Sequence, residues 1–354
     1  MRYVVRGSMA RAWSRRGIML LMLLASVAAA HHWGITGSRA ALPNTRWATK
    51  GHTGKVNSVA FTSDGQILAS ASDDTTIKLW RVADGSLVRT IRVHYGIANS
   101  IAFSPDGQTL AAGTAGVNRN LAIFRVADGT QIRITEAHYN GTTGVAFTRD
   151  GGLLVTGGRD RTVKLWRAAD GALLNTLDQG ARVNSVAVSP DGQTVAAGVS
   201  NGQIKLWRAT DGAPLGSLTG HSEYVFALAF SANGTLLASG AADESVRLWS
   251  LPALPGGSSI RTMPLPNAGA ATSVVITPNG QTVIAGTAEQ ITTPNDTIQP
   301  VGALRFWRVA DGASILADNQ QGGITVEAVA LSPDGSLLGY GRRDGSVLLA
   351  PNPF

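Results

Sequence analysis

Two adjacent acids, Asp73 and Asp74, stand seven and six residues before Trp80 in the stretch DDTTIKLW. Carboxylates beside an aromatic wall can donate a proton, clamp a metal or hold a sugar. A second candidate is Gly198-Val199-Ser200-Asn201-Gly202, which fits the G-x-S-x-G pattern of a hydrolase nucleophile elbow. That chemistry needs a strand-to-helix turn and a histidine delivered by the fold. A third is the pair Glu289 and Asp296, although a calcium site takes about six to eight oxygens. Six histidines complete the reactive inventory, and there is no cysteine to act as a nucleophile, a thiolate ligand or a disulfide partner.

What positions these residues is a repeat. The end of the opening stretch returns as IKLW at Trp80, LAIF at Phe124, VKLW at Trp166, IKLW at Trp207, VRLW at Trp249 and LRFW at Trp307. A seventh copy, ending at Ala350, lacks the aromatic, and the steps are 44, 42, 41, 42, 58 and 43 residues. Each period also carries TSDG, SPDG, TRDG, SANG or TPNG. Asp-Gly and Asn-Gly supply the positive φ that a tight type I′ hairpin requires. A second Asp-Gly follows most of the aromatics, at Asp84, Asp128, Asp170, Asp211 and Asp311. Runs of five to seven alternating or apolar residues such as VNSVAF lie between the turns and read as strands. Four short strands per period, seven times over, predict an all-β repeat architecture.

These units resemble the WD40 repeat family over essentially all of residues 45–354. The resemblance implies a seven-bladed β-propeller of four-stranded antiparallel blades. It also implies a structural tetrad of His, Ser or Thr, Asp and Trp in each blade. Blade 1 supplies His52, Ser70, Asp74 and Trp80, blade 3 His138, Thr156, Asp160 and Trp166, and blade 5 His221, Ser239, Asp243 and Trp249. Buried in series, such groups satisfy one another's hydrogen bonds. Asp74 therefore reads as architecture, with Asp73 left free at the surface. The even blades depart together: blade 2 has His94 but Ala112 and Phe124, blade 4 has Gln179 and Ala197, and blade 6 has Asn267 and Ala285. This alternation suggests growth by copying a two-blade unit. Arg, in place of the family's Asp, follows the aromatic at Arg81, Arg125, Arg167, Arg208 and Arg308.

Blade 7 ends at Asn352-Pro353-Phe354 without an outer strand, and an open edge invites mispairing. Residues 45–49, TRWAT, lie at the matching offset, so they are expected to close the ring. The histidines of the body fall at tetrad positions, which leaves no catalytic base or metal ligand; no cofactor or metal is expected. The G-x-S-x-G run sits between two blade strands, the wrong context for an elbow. The 12-residue excess of blade 6, within 287–300, reads as a hairpin extension or a lip over one face.

Blade offsets bring Lys55, Asp73, Tyr95, Tyr139, Arg159, Arg182, Tyr224, Arg342 and Arg343 to the histidine-bearing face. Tyr and Arg are favoured at interface hot spots. The expected role is an interaction scaffold, not an enzyme. Its partner would be a protein or peptide, with the propeller a monomer inside a larger complex. The alternative is a propeller enzyme or a binder of a small ligand, such as a carbohydrate or lactone, in the central channel.

Residues 1–30 place five arginines before an apolar run that closes on Ala28-Ala29-Ala30, the pattern of a secretory signal peptide. The pair Arg15-Arg16 also permits twin-arginine export. The run is shorter than the roughly 20 apolar residues that span a bilayer, so no stable span is expected after cleavage, and an uncleaved anchor is the alternative. Residues 31–44 read as a linker. The formal charge of +7 is mostly targeting, since the chain beyond residue 30 holds 25 basic and 23 acidic side chains. A nucleic-acid partner is therefore not expected. The signal and the SPDG-rich repeats together suggest a bacterial envelope or periplasmic setting, or secretion.

Overall fold

The computed structural model describes residues 45–354, apart from Tyr95 and the segments 117–119, 252–258, 267–268, 293–297 and 320–323; side chains are not described at 291–292, 298–300 and 319. The proposed signal and linker lie outside the described residues. Among the described residues, twenty-eight strands, β1–β28, form seven four-stranded antiparallel sheets. In blade 1 these are β2 (Val56–Phe61), β3 (Ile67–Ser72), β4 (Thr76–Arg81) and β5 (Leu87–Arg92), hydrogen-bonded in chain order. Blades 2 to 6 repeat that order, and no α-helix occurs among the described residues.

The ring closes with the expected strand. β1 (Trp47–Thr49) pairs antiparallel with β28 (Val347–Pro351), Trp47 opposite Leu349 and Thr49 opposite Val347. Trp47 Nε1 donates to the Val82 carbonyl at 3.0 Å, so the latch also reaches blade 1.

The core lies between the blades. Each sheet buries both faces, and the inner strands carry Ala and Gly so that neighbouring sheets can approach. One apolar cluster joins Ile77, Leu79 and Ile91 of blade 1 to Ile101, Leu110 and Phe124 of blade 2. Another joins Val56, Leu68 and Trp80 of blade 1 to Val347 and Leu349 of blade 7. Comparable clusters occupy the other junctions, so each blade is stabilised by two neighbours and none has an isolated core.

The first Asp-Gly turn differs from the type I′ expectation. Gly65 is left-handed (φ 68°) but Asp64 is not, and the Gly65 N–H bonds to the Thr62 carbonyl. This is a type I turn closed by a left-handed glycine. The cause is local: Thr62 Oγ1 donates to Asp64 Oδ1 at 2.5 Å, and the Gln66 N–H donates to the same oxygen. Those bonds hold the aspartate in a right-handed conformation. Ser104–Asp106, Thr148–Asp150, Ser189–Asp191 and Ser332–Asp334 repeat the device.

The arginine after each aromatic also has a structural job. Arg125, Arg167, Arg208 and Arg308 pair with the aspartate three residues on, at 2.8 to 2.9 Å, and Arg81 does so at 3.6 Å. Exposed pairs of this kind are screened by solvent and add little to stability. The turns so fixed then present carbonyls to the preceding blade. Arg89 donates to the carbonyls of Ala127 and Asp128, and Arg133 to those of Ala168 and Ala169.

Candidate binding face and buried polar networks

The tetrad residues of blades 1, 3 and 5 are joined in series. Trp80 Nε1 donates to Ser70 Oγ at 2.8 Å, Ser70 Oγ lies 2.7 Å from His52 Nε2, and His52 Nδ1 lies 2.9 Å from Asp74 Oδ2. Blade 3 repeats this through Thr156, His138 and Asp160 at 2.8, 2.7 and 3.0 Å. Blade 5 does so through Ser239, His221 and Asp243 at 2.8, 2.7 and 2.8 Å. A carboxylate can only accept from Nδ1, which leaves Nε2 to accept the hydroxyl proton. The series of bonds thus fixes the orientation of each imidazole. Burial lowers the pKa of His52 and of His221 more than their aspartates raise it. Burial pushes Asp160 up, but bonds to His138 and Thr162 outweigh it and hold the carboxyl at about 2. The hydroxyls and imidazoles are buried, and each hydroxyl oxygen also accepts an indole N–H, so these chains hold strands to loops and present no hydroxyl or imidazole to the surface.

The remaining blades solve the problem differently. In blade 4 the Trp207 indole donates to Gln179 Oε1 at 3.0 Å, so an amide stands in for the histidine. His94, placed at the tetrad position from sequence, is instead exposed. The reason is chemical: blade 2 has Ala112 in place of the hydroxyl and Phe124, without an N–H, in place of the indole. In blade 6 the sequence reading missed a buried ion pair. Arg305 Nε and Nη2 reach Glu289 Oε1 and Oε2 at 2.5 and 2.6 Å, with Thr287 Oγ1 donating to Oε1. The side chains of Glu289 and Arg305 are 1% and 9% exposed. They sit in the hairpin of β23 (Thr282–Thr292) and β24 (Ile298–Arg308), which carries the 12-residue excess. Asp296 lies outside the described residues.

The G-x-S-x-G run spans the end of β15 (Thr194–Val199) and the turn into β16 (Ile204–Arg208). No helix follows and no histidine is delivered to Ser200. Among the described residues, no three His, Asp or Glu side chains converge as a metal-binding group.

The end of the ring that carries the histidines has a repeated construction. The turn between the second and third strands of a blade is tied by one backbone bond to the loop that enters the same blade. Asp73 N–H bonds to Lys55 O, Arg159 N–H to Gly141 O, Ser200 N–H to Arg182 O, Ala242 N–H to Tyr224 O and Arg343 N–H to Thr325 O. Lys55, Asp73, Tyr139, Arg159, Arg182, Tyr224, Arg342 and Arg343 therefore share this face; Tyr95 lies outside the described residues. Tyr139 is 63% exposed and Arg343 66%. Arg342 lies 5.9 Å over the Tyr340 ring and is only partly exposed. Asp73 is not free as expected: its Oδ1 accepts from Asn57 Nδ2 at 2.7 Å.

Sequence reasoning also overlooked the mouth of the channel. One inner-strand residue from every blade lines it: Asn57, Asn99, Thr143, Asn184, Phe226, Thr272 and Glu327, around about 240 Å³. Four of them donate to the next blade's backbone, as Asn57 does to Ala98 O and Thr143 to Val183 O. Glu327 lies 3.8 Å from Lys55 Nζ and 4.0 Å from Arg343 Nε, and Phe226 packs on Tyr224 with ring centroids 6.1 Å apart. A signal for these positions exists in the sequence, as the second residue of the first strand in blades 1, 3, 4, 5 and 7 and the third in blades 2 and 6.

Comparison with known proteins agrees with this geometry. The repeat profile described as WD domain, G-beta repeat matches residues 44–81, 85–124, 129–167, 171–208 and 212–250, more than half of the chain. Among curated relatives, WD repeat-containing protein srw1 of Schizosaccharomyces pombe is 31% identical over 103 residues, 28% of this chain and 18% of that protein. Cell division cycle 20.1, cofactor of APC complex, of Arabidopsis thaliana is 32% identical over 107 residues, 29% of this chain and 23% of that protein. Pre-mRNA-processing factor 19 of Bos taurus is 47% identical over 45 residues, 13% of this chain and 9% of that protein. The chain thus spans less than a quarter of the length of these relatives. With seven blades, three complete tetrads and five matched repeats, the chain belongs to the WD40 repeat family.

Proposed function

We propose that the protein is a non-enzymatic interaction scaffold and that the histidine-bearing face is its partner-binding surface. The observation that carries this reading is backbone strain on that face. The residue after the tetrad aspartate is left-handed at Thr75 (φ 65°), Arg161 (φ 70°) and Glu244 (φ 61°), where blades 4 and 7 use Gly202 and Gly345. A side chain in that conformation costs roughly 1 kcal/mol or more, and such strain concentrates at functional surfaces. The chain keeps a threonine, a cation and an anion there. Arg159, Arg161 and Arg182 then make one sector of the face basic, while Glu223 and Glu244 beside exposed Tyr224 make the next acidic. A protein surface with the opposite arrangement of charge would be steered into one orientation.

Residues 1–30 fit an export signal, and the proposed setting is the periplasm or the exterior of a bacterial cell. Names among the relatives, such as a cofactor of the APC complex, fit a role inside an assembly. One experiment tests both halves. A photo-cross-linking amino acid is placed at Tyr139, at Tyr224, or at Leu174 on the outer rim, in the full chain expressed in cells. Adducts from the two face positions, recovered in the envelope or medium, are expected. Adducts confined to Leu174 would contradict the assigned face, and recovery only from the cytosol would contradict export.

A further inference from the structure

The chain contains four Asn-Gly pairs, beginning at Asn140, Asn201, Asn233 and Asn279. An asparagine followed by glycine can close on itself, with the glycine nitrogen attacking the side-chain carbonyl carbon. Glycine favours this because it has no Cβ to block the approach. The attack is intramolecular, so its rate depends on how freely the side chain reaches the next nitrogen. The fold treats the four pairs differently.

Three of them are held. Asn201, Asn233 and Asn279 each accept the N–H two residues on, from Gln203, Thr235 and Gln281, at 3.2, 3.1 and 3.0 Å. That bond is what makes asparagine a turn former, and it fixes the side-chain carbonyl. Asn233 and Asn279 also accept the hydroxyls of Ser231 and Thr277, and Asn201 Nδ2 donates to Gln203 Oε1 at 3.3 Å. The nitrogens of Gly234 and Gly280 are themselves committed, at 2.9 and 2.8 Å, to the carbonyls of Ser231 and Thr277.

Asn140 differs on each count. Its side chain is exposed and makes no hydrogen bond to any described residue. Its backbone is left-handed (φ 70°), at the third position of a turn in which the Gly141 N–H reaches the His138 carbonyl only at 3.3 Å. A positive φ at that position defines a type II turn, and asparagine tolerates it better than most residues do. The glycine is required as well. Gly141 has φ 107°, and a Cβ on it would stand 3.0 Å from the Ala115 Cβ of blade 2. The reactive pair is therefore built into the loop that enters blade 3.

We propose that Asn140 is a self-modification site, which converts to aspartate and isoaspartate through a cyclic imide ahead of the other three Asn-Gly pairs. The bond from Gly141 N to Asn140 Cγ forms and the Cγ–Nδ2 bond breaks. The proton of the Gly141 N–H leaves with the side-chain nitrogen as ammonia. Water then opens the imide. Opening at Cγ restores the ordinary backbone with an aspartate, and opening at the backbone carbonyl leaves isoaspartate, with the chain running through the side chain. Either product adds a negative charge beside Tyr139, next to the sector that Arg159, Arg161 and Arg182 make basic. The chemistry stands without the scaffold reading, and only its consequence for a partner rests on it.

The test follows the full-length protein in mildly alkaline buffer by peptide mapping with mass spectrometry, the digestion being done in acid so that no further imide forms. The Asn140 peptide is expected to gain one dalton about tenfold faster than the peptides holding Asn201, Asn233 or Asn279, because only its side chain is free to attain the attack geometry. It should also split chromatographically into aspartate and isoaspartate forms. In concentrated urea the turn bonds are gone, and the four rates should converge. Equal rates in the folded protein, faster loss at any other pair, conversion to aspartate alone, or an Asn140 advantage that survives unfolding would overturn the proposal. Face cross-links that persist after such a failure would leave the scaffold reading intact.

Discussion

Deleting the chain through Thr49 is expected to lower the thermal midpoint by on the order of 10 °C and to open the ring at blade 7. The deletion removes the bond from Arg46 N–H to Leu349 O and the pairing of Trp47, Ala48 and Thr49 with β28. Each lost backbone bond costs about 1 kcal/mol net. The loss of the half-buried Trp47 ring adds about 2 kcal/mol. A total of about 4–5 kcal/mol is a large part of the roughly 5–15 kcal/mol that holds a folded domain together. The remaining edge of β28 would also be left to pair with other chains. Trp47→Ala in the intact chain keeps the strand and should give about half the shift. Calorimetry on the two variants measures this, and a shift below about 2 °C for the deletion would mean that the ring does not depend on its latch.

Arg305→Met is expected to destabilise the protein by about 3–5 kcal/mol, because it strands the Glu289 carboxylate in the interior. Both charges have left water, and their mutual bonds at 2.5 and 2.6 Å offset that cost only while both are present. Replacing the two together, Glu289→Met with Arg305→Met, should recover most of the loss, since a packed apolar pair costs nothing in desolvation. Thr287 Oγ1 keeps a partner in the double variant because it also donates to the Ala303 carbonyl. Urea denaturation of the singles and the double closes the cycle. A loss under 1 kcal/mol in the single variant, or a double variant as weak as the sum of the singles, would contradict this account.

The fold was legible because one unit recurs seven times, so that each turn and strand could be read by comparison with its copies. The complete tetrads were legible for the same reason: His52, His138 and His221 each stand 28 residues before their tryptophan. Gln179 has that spacing too and does the same work through an amide. His94 keeps the 18-residue offset to Ala112 that His52 has to Ser70, and its 30 residues to Phe124 reflect two extra residues between the second and third strands of blade 2; its exposure follows from the missing hydroxyl and indole. The ion pair of blade 6 was hidden because it depends on the register of two eleven-residue strands, which has no copy elsewhere in the chain. Asp73 and Glu327 were misread or missed because their partners come from other strands and blades.

The central claim is that the buried histidines and acids are architecture while the exposed face does the binding. The most direct measurement takes two variants and reads melting temperature and cross-linked partner on each. One is His138→Gln, inside the blade 3 tetrad; the other combines Tyr139→Ala, Arg159→Ala and Arg343→Glu on the surface. The account predicts a lower melting temperature with cross-linking from Tyr224 retained in the first, and an unchanged melting temperature with cross-linking lost in the second. Loss of the partner from a fully stable His138→Gln protein, with binding intact in the surface variant, would contradict it.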